Sequence, residues 1–298
     1  MSLTENNGSF PLRFAYYSHH KCATKFFLLV LARLCRDAGW NFRHVDRVDH
    51  AQPSIKEFVA ANNLSALAVV NAEYEKVAGL GVPAFHVIRD PRDMIVSGYF
   101  SHLKSHSERD WPELTEHRKR LQSLSKEDGL LAELDFSRQF LDDLATWSYS
   151  DPNILELRFE QVASDPYGTV LLALEWVGVI DPDDSGSLAR DTARLARSFI
   201  NRLSYRTALF RLIRKPQKYL SGEDVLRFAY RNRFSKQARG RTRGETDESS
   251  HYRRGIPGDW MNHFTPPIAE KFNTLYGTVL EKTGYTASTQ PSWAVNSR

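Results

Sequence analysis

Cysteine is nearly absent: the 298 residues hold two, Cys22 and Cys35. Two cannot build a disulfide framework, and no CxxC or Cys/His spacing marks a zinc site. There is no long apolar run either. The greasiest stretch, FFLLVLARLC at 26–35, is broken by Arg33 and falls short of the roughly 20 residues a membrane span needs. The start, MSLTENNGSFPLR, lacks the basic and apolar regions of a secretory signal. These absences together predict a reduced, cytoplasmic protein with no integral membrane segment. Charge of one sign is not in strong excess; the net is +4, a weak lean towards an anionic ligand. No internal repeat is visible.

What is present is alternation. Strand-like runs recur at 12–18 (LRFAYYS), 41–48, 66–71 (ALAVVN), 84–89 (AFHVIR) and 153–159. Helical patterns fall between and after them, at 24–38, 53–62, 92–104, 112–150, 165–178 and 187–200. Strands alternating with helices predict an α/β fold: a single three-layer domain, residues 1–298, around a central parallel sheet. Ligands of such sheets sit at the carboxyl ends of the strands. The stretch 201–254 differs, with 15 Lys/Arg against 5 Asp/Glu. Its polar, Gly-containing core reads as a mobile basic segment, about 201–250, or simply as a solvated charge run. No aromatics interleave 235–250 to stack bases, so nucleic acid is not expected as a partner.

The stretch YYSHHKCATKFF at 16–27 is strand, short polar loop, helix, an arrangement that offers unpaired N–H groups to an anion. The loop has no glycine. It is not a GxxxxGK[ST] loop, which excludes the usual ATP-binding hydrolases, and not GxGxxG, which argues against a dinucleotide site. The plain alternative is a capped turn. Three further stretches bear on the choice. In HVIRDPRDMIVSGYFSHL (86–103), Arg89 ends a strand, Pro91 opens a helix and Ser97 lies eight residues beyond Arg89. Arg can fork onto phosphate oxygens; the alternative is an Arg89 pair with Asp90 or Asp93. LRFEQVASDP (157–166) ends a strand in Phe159 and an acid. YRRGIPGDWMNHF (252–264) sets Arg253 and Arg254 before Gly255, where backbone can come close to a ligand; otherwise it is an exposed basic turn.

These four stretches, in this order, resemble the cytosolic-type sulfotransferase family, which uses 3′-phosphoadenosine 5′-phosphosulfate (PAPS). The family's PKSGTTW loop corresponds to HKCATKF, and its RKGxxGDW segment to Arg253, Arg254, Gly255, Gly258, Asp259 and Trp260. The resemblance runs from about residue 12 to 275 and implies a P-loop-NTPase-like sulfotransferase fold. It also implies transfer of a sulfuryl group from PAPS to a hydroxyl acceptor: a sugar, lipid, phenol or alcohol. Other readings stay open: a nucleotide kinase or hydrolase of similar fold, or a family member that binds PAPS without transferring sulfate.

By that resemblance Lys21 contacts the bridging oxygen of the phosphosulfate. Cys22, Ala23, Thr24 and Lys25 hold the 5′-phosphate, and Phe26 and Phe159 contact the adenine. Arg89, Ser97, Arg253, Arg254 and Gly255 surround the 3′-phosphate. Ala23 stands where the family has glycine, so the loop is expected to avoid positive φ there. Cys22, near a helix N-terminus and Lys21, has the setting for some thiolate character. Glu73 is the expected general base, with His20 and His102 as competitors. No metal is expected. The basic segment is expected to act as a lid over PAPS. The acceptor and the oligomeric state are not legible.

Overall fold

Every residue of β1 (Phe14–Ser18) is buried. Phe14 and Tyr16 face one apolar cluster, while Ala15 and Tyr17 face another. A strand buried on both faces belongs in the middle of a parallel sheet. A computed structural model, which describes residues 12–109, 111–182, 188–205 and 214–285, has it there. β2 (Phe42–Arg47), β3 (Ala66–Asn71), β4 (Ala84–Ile88) and β5 (Ile154–Arg158) complete a five-stranded sheet of order β2-β3-β1-β4-β5. All four pairings are parallel. The predicted strands match within two residues.

Helices cover both faces, giving three layers. α1 (Thr24–Ala38) buries Phe27, Val30, Leu31, Leu34 and Cys35 along one stripe. Phe27 and Phe85 pack on Tyr16, with ring centroids 5.1 and 4.9 Å away. α2 (Ile55–Ala61) and α3 (Tyr74–Val77) cover the other face with Ile55, Val59 and Val77, joined by Trp147. α4 (Pro91–Phe100) follows β4, capped by Asp90, whose side chain accepts from Arg92 N–H. It runs on as a π-helical turn (Ser101–Ser105), so the helix predicted at 92–104 changes pitch before its end.

The helical region predicted across 112–150 breaks into three: α5 (Pro112–Ser123), α6 (Lys126–Phe136) and α7 (Arg138–Thr146). Ser125 caps α6 by accepting from Asp128 N–H. α8 (Phe159–Ser164), α9 (Pro166–Trp176) and α10 (Leu188–Ser204) follow. Among its described residues the basic stretch holds two helices. α11 (Gly222–Arg231) buries Val225, Phe228 and Ala229, and α12 (Phe234–Gln237) adds a turn. Within the expected lid, residues 206–213 lie outside the described residues. α13 (Pro266–Thr283) closes the fold against α6 and α7. Among the described residues, no helix is long and apolar enough to cross a membrane, and both cysteines are free and buried.

Register positions the site. Ser18 pairs with Val87 and Ile88 with Arg158, so the loops leaving β1, β4 and β5 emerge side by side. β1 is also where the strand order turns from one side of the sheet to the other, the switch point at which α/β crevices form.

Candidate functional site

The loop 19–23 joins β1 to α1. Lys21 has φ 67° and Ala23 φ 58°. This corrects the expectation that a glycine-free loop avoids positive φ: both residues take the left-handed conformation at a cost of about 1 kcal/mol each. The turn follows from packing, since Cys22 between them is fully buried. Its Sγ points inward, 3.8 Å from Met94 Sδ, and its N–H donates to His19 O at 3.2 Å. Cys22 is thus not positioned as a phosphate donor, another departure from the sequence reading. Burial also pushes its thiol up to about 12, against the expected thiolate character.

α1 has no side-chain cap, and its first bonds back to the loop run from Phe26 N–H and Phe27 N–H to Ala23 O, at 3.0 and 3.3 Å. The N–H groups of Thr24 and Lys25 precede them and are left to face outward. Alternating left- and right-handed residues turn such amides into a concave anion nest. Thr24 Oγ1 is 2.9 Å from Ser18 Oγ and donates to His19 O at 3.3 Å.

Arg89 leaves β4 beside this loop. It lies over the Phe159 ring at 4.0 Å and donates to Lys21 O at 3.3 Å. It also pairs with Asp93 at 3.5 Å, while Arg92 pairs with Asp90 at 2.7 Å. The Arg–Asp pairing weighed from the sequence is therefore real, but Arg89 Nε is buried with no partner.

Arg253 and Arg254 both donate to Asp259. Burial alone would raise Asp259, yet hydrogen bonds from His263, Asn262 and Arg253 outweigh it and hold the carboxyl below its usual range. Arg253 also lies over the Phe100 ring at 4.4 Å. The turn is tied to α4 by Asp93, which accepts from Gly258 N–H at 2.7 Å and Trp260 N–H at 2.9 Å. Gly255 has φ +72°, and a Cβ there would sit 2.4 Å from the Phe234 ring.

A cavity of about 310 Å³ opens where these parts meet. Eleven of the thirteen expected site residues line it: Lys21, Ala23, Thr24, Lys25, Phe26, Arg89, Ser97, Phe159, Arg253, Arg254 and Gly255. Cys22 and Glu73 do not. Glu73 heads α3, where Lys76 holds its carboxylate at 2.9 Å and Arg47 stands at 3.9 Å. The expected base is thereby turned into an ion pair outside the cavity wall. Arg233, Phe234, Arg243, His251 and Tyr252 also line the cavity; all come from the basic stretch, whose composition gave no sign of which side chains turn inward. Lys21 is pushed down to about 7, first by burial and then by Arg89, with Arg253 and Lys25 adding to it and Glu133 opposing.

Beside Lys21, His20 contacts a buried polar cluster. His102, His117 and Glu133 bring metal-type donor atoms within 4.8 Å of one another. Each faces a hydrogen-bond partner instead: Glu133 accepts from His117 Nε2 at 2.9 Å, from Ser137 Oγ at 2.6 Å and from His102 Nδ1 at 2.9 Å. These matched donors favour a hydrogen-bonded cluster over a metal centre.

No protein-family model matches the chain, and no curated protein sequence does. Solved structures do match. A mouse sulfotransferase complexed with PAP is similar with a TM-score of 0.51 at 16% identity, over 93% of this chain and 86% of that one. A retinol dehydratase in complex with androsterone and inactive cofactor PAP gives a TM-score of 0.48 at 15% identity, over 94% and 84%, a likeness too slight to carry weight. The chain has the sulfotransferase fold, with its parallel sheet between helical layers.

Proposed function

We propose that this protein is a PAPS-dependent O-sulfotransferase that moves a sulfuryl group to a hydroxyl acceptor. One observation carries the reading. Lys21 from the start of α1, Arg89 from the end of β4 and Arg253–Arg254 from a segment far along the chain line a single cavity. A donor with phosphates at both the 5′ and 3′ positions needs two separated cationic grips, and these residues supply them.

In this reading the amides of the nest, with Thr24 and Lys25, hold the 5′-phosphosulfate. Phe26 lies against the adenine. Phe159 backs Arg89, which with Ser97, Arg253, Arg254 and the Gly255 backbone surrounds the 3′-phosphate. Charge builds on the bridging oxygen as the S–O bond breaks, and the Lys21 ammonium stabilises it. The acceptor oxygen attacks sulfur in line from the opposite side. No metal has a role here. Arg243, His251 and Tyr252 line the cavity, which supports the basic segment, about 201–250, as a lid.

Thermal shift with PAP (3′-phosphoadenosine 5′-phosphate) against ATP and ADP tests the reading. PAP should stabilise the protein most, and Lys21→Ala and Arg89→Ala should each weaken that effect. A preference for ATP would favour the kinase or hydrolase alternative, which already lacks its glycine loop. Binding of PAP without any turnover of PAPS would favour an inactive PAPS binder.

A further inference from the structure

His20 lines the cavity next to Lys21, and behind it runs a line of hydrogen bonds that donor binding does not use. His20 Nε2 is 3.0 Å from His102 Nε2. The two ring planes differ by 21° with centroids 5.0 Å apart, so the rings meet edge to edge, as an N–H···N bond requires. His102 Nδ1 in turn lies 2.9 and 3.1 Å from the two oxygens of Glu133. His102 and Glu133 are fully buried; His20 is the member that meets the cavity.

The tautomers follow from counting donors. An ionised carboxylate only accepts. Glu133 is kept ionised: burial alone would raise it, but His102, His117 and Ser137 outweigh that and lower it. His102 Nδ1 therefore carries the hydrogen, and in the neutral ring its Nε2 is a bare lone pair. His20 Nε2–H donates to that lone pair, which leaves His20 Nδ1 unprotonated. Among the described residues His20 Nδ1 has no hydrogen-bond partner, and it is not one of the buried unpartnered atoms, so it is open to the cavity.

We infer that His20 is the general base of the sulfuryl transfer, with His102 and Glu133 as positioning residues that fix its tautomer and stabilise its protonated form. The inference rests on the sulfotransferase reading above. In the step, the acceptor oxygen bonds to sulfur while its proton passes to His20 Nδ1. The S–O bond to the 5′-phosphate breaks, and PAP departs with the electron pair. The proton leaves His20 for solvent once the products have gone.

The surroundings fit this role. His20 is faced by His102 from the π-helical turn, His106 just after it, Lys21 from its own loop and His251 from the basic segment. Burial first, and then these neighbours, hold it well below the usual histidine pKa, so it rests neutral. A bound polyanion offsets the cationic repulsion, which strengthens the base when the donor is in place.

The test uses PAPS hydrolysis, with water as the acceptor, followed as PAP release, alongside PAP binding by calorimetry. His20→Ala should bind PAP within about threefold of the wild type yet release it roughly 100-fold or more slowly, and added imidazole should restore part of the rate. Glu133→Gln should slow turnover and move the acid limb of the pH–rate profile to lower pH, because the anion favouring protonated His20 is gone. Glu73→Gln should leave both measurements unchanged. A His20→Ala enzyme at wild-type rate, or a loss confined to Glu73→Gln, would overturn the inference. A wild type that does not bind PAP would instead remove the sulfotransferase reading itself. Independently of activity, ring ¹⁵N spectra should show His20 as the Nε2–H tautomer; the Nδ1–H tautomer would overturn the relay.

Discussion

Binding of PAP should draw a proton onto Lys21. The ammonium is pushed down to about 7 by burial and by Arg89, so at pH 8 most Lys21 side chains in the empty site are neutral. A 5′-phosphate against Lys21 restores the charged form and lifts its pKa. If that lift is two units or more, close to one proton is taken up per PAP bound at pH 8. Affinity then weakens by nearly tenfold per pH unit above 7, about 1.4 kcal/mol per unit, until the pKa of the complex is reached. The sign is fixed: the bound state holds more protons, so rising pH opposes binding. Calorimetry at pH 8 in two buffers of different ionisation enthalpy reads the uptake directly. Phosphate protonation contributes little there, because its second pKa is near 6. Lys21→Met should abolish the uptake. Equal heats in both buffers, with PAP affinity flat from pH 7 to 9, would refute the argument.

Three substitutions probe the rest of the site. Ala23→Gly should raise the melting temperature, by about 0.5–1 kcal/mol of stability, because glycine removes the left-handed penalty at φ 58°; a lower melting temperature would count against the loop geometry. Gly255→Ala combines a φ of +72° with a Cβ 2.4 Å from Phe234 and should cost roughly 1–3 kcal/mol in chemical denaturation, with weaker PAP binding. Asp259→Asn leaves Arg253 and Arg254 without their shared anion and should destabilise by about 2 kcal/mol at pH 7, less than a fully buried pair because Arg254 is partly exposed. The Asp259 pKa is depressed on folding, so this contribution is complete above the ordinary carboxylate pKa and lost as pH falls through the lower folded value. Denaturation curves of the two proteins should converge only in strong acid.

The sheet was readable because each strand is a short apolar run bounded by polar turns, and eleven residues that line the cavity were readable as neighbours because they sit in contiguous stretches. What escaped has physical causes. Ala23 and Lys21 adopt a backbone their side chains disfavour, since burying Cys22 outweighs the local preference. The Ser125 cap that starts α6 lies inside a continuous helical pattern, which hid the break. In α11, arginines flank Val225, Phe228 and Ala229 and mask an ordinary helical stripe. His20, His102 and Glu133 are separated by 82 and 31 residues, so no local pattern could join them, and the π-helical turn that carries His102 has no composition of its own.

The two backbone bonds to Asp93 have a mechanical consequence. They fasten the Arg253–Arg254 turn to α4, next to Arg89, so this half of the cavity is braced against the sheet. If the basic segment swings away after turnover, the spent nucleotide would lose its cover before its anchorage. Its escape would then be timed by how long the braced arginines retain it, not by how fast the cleft opens.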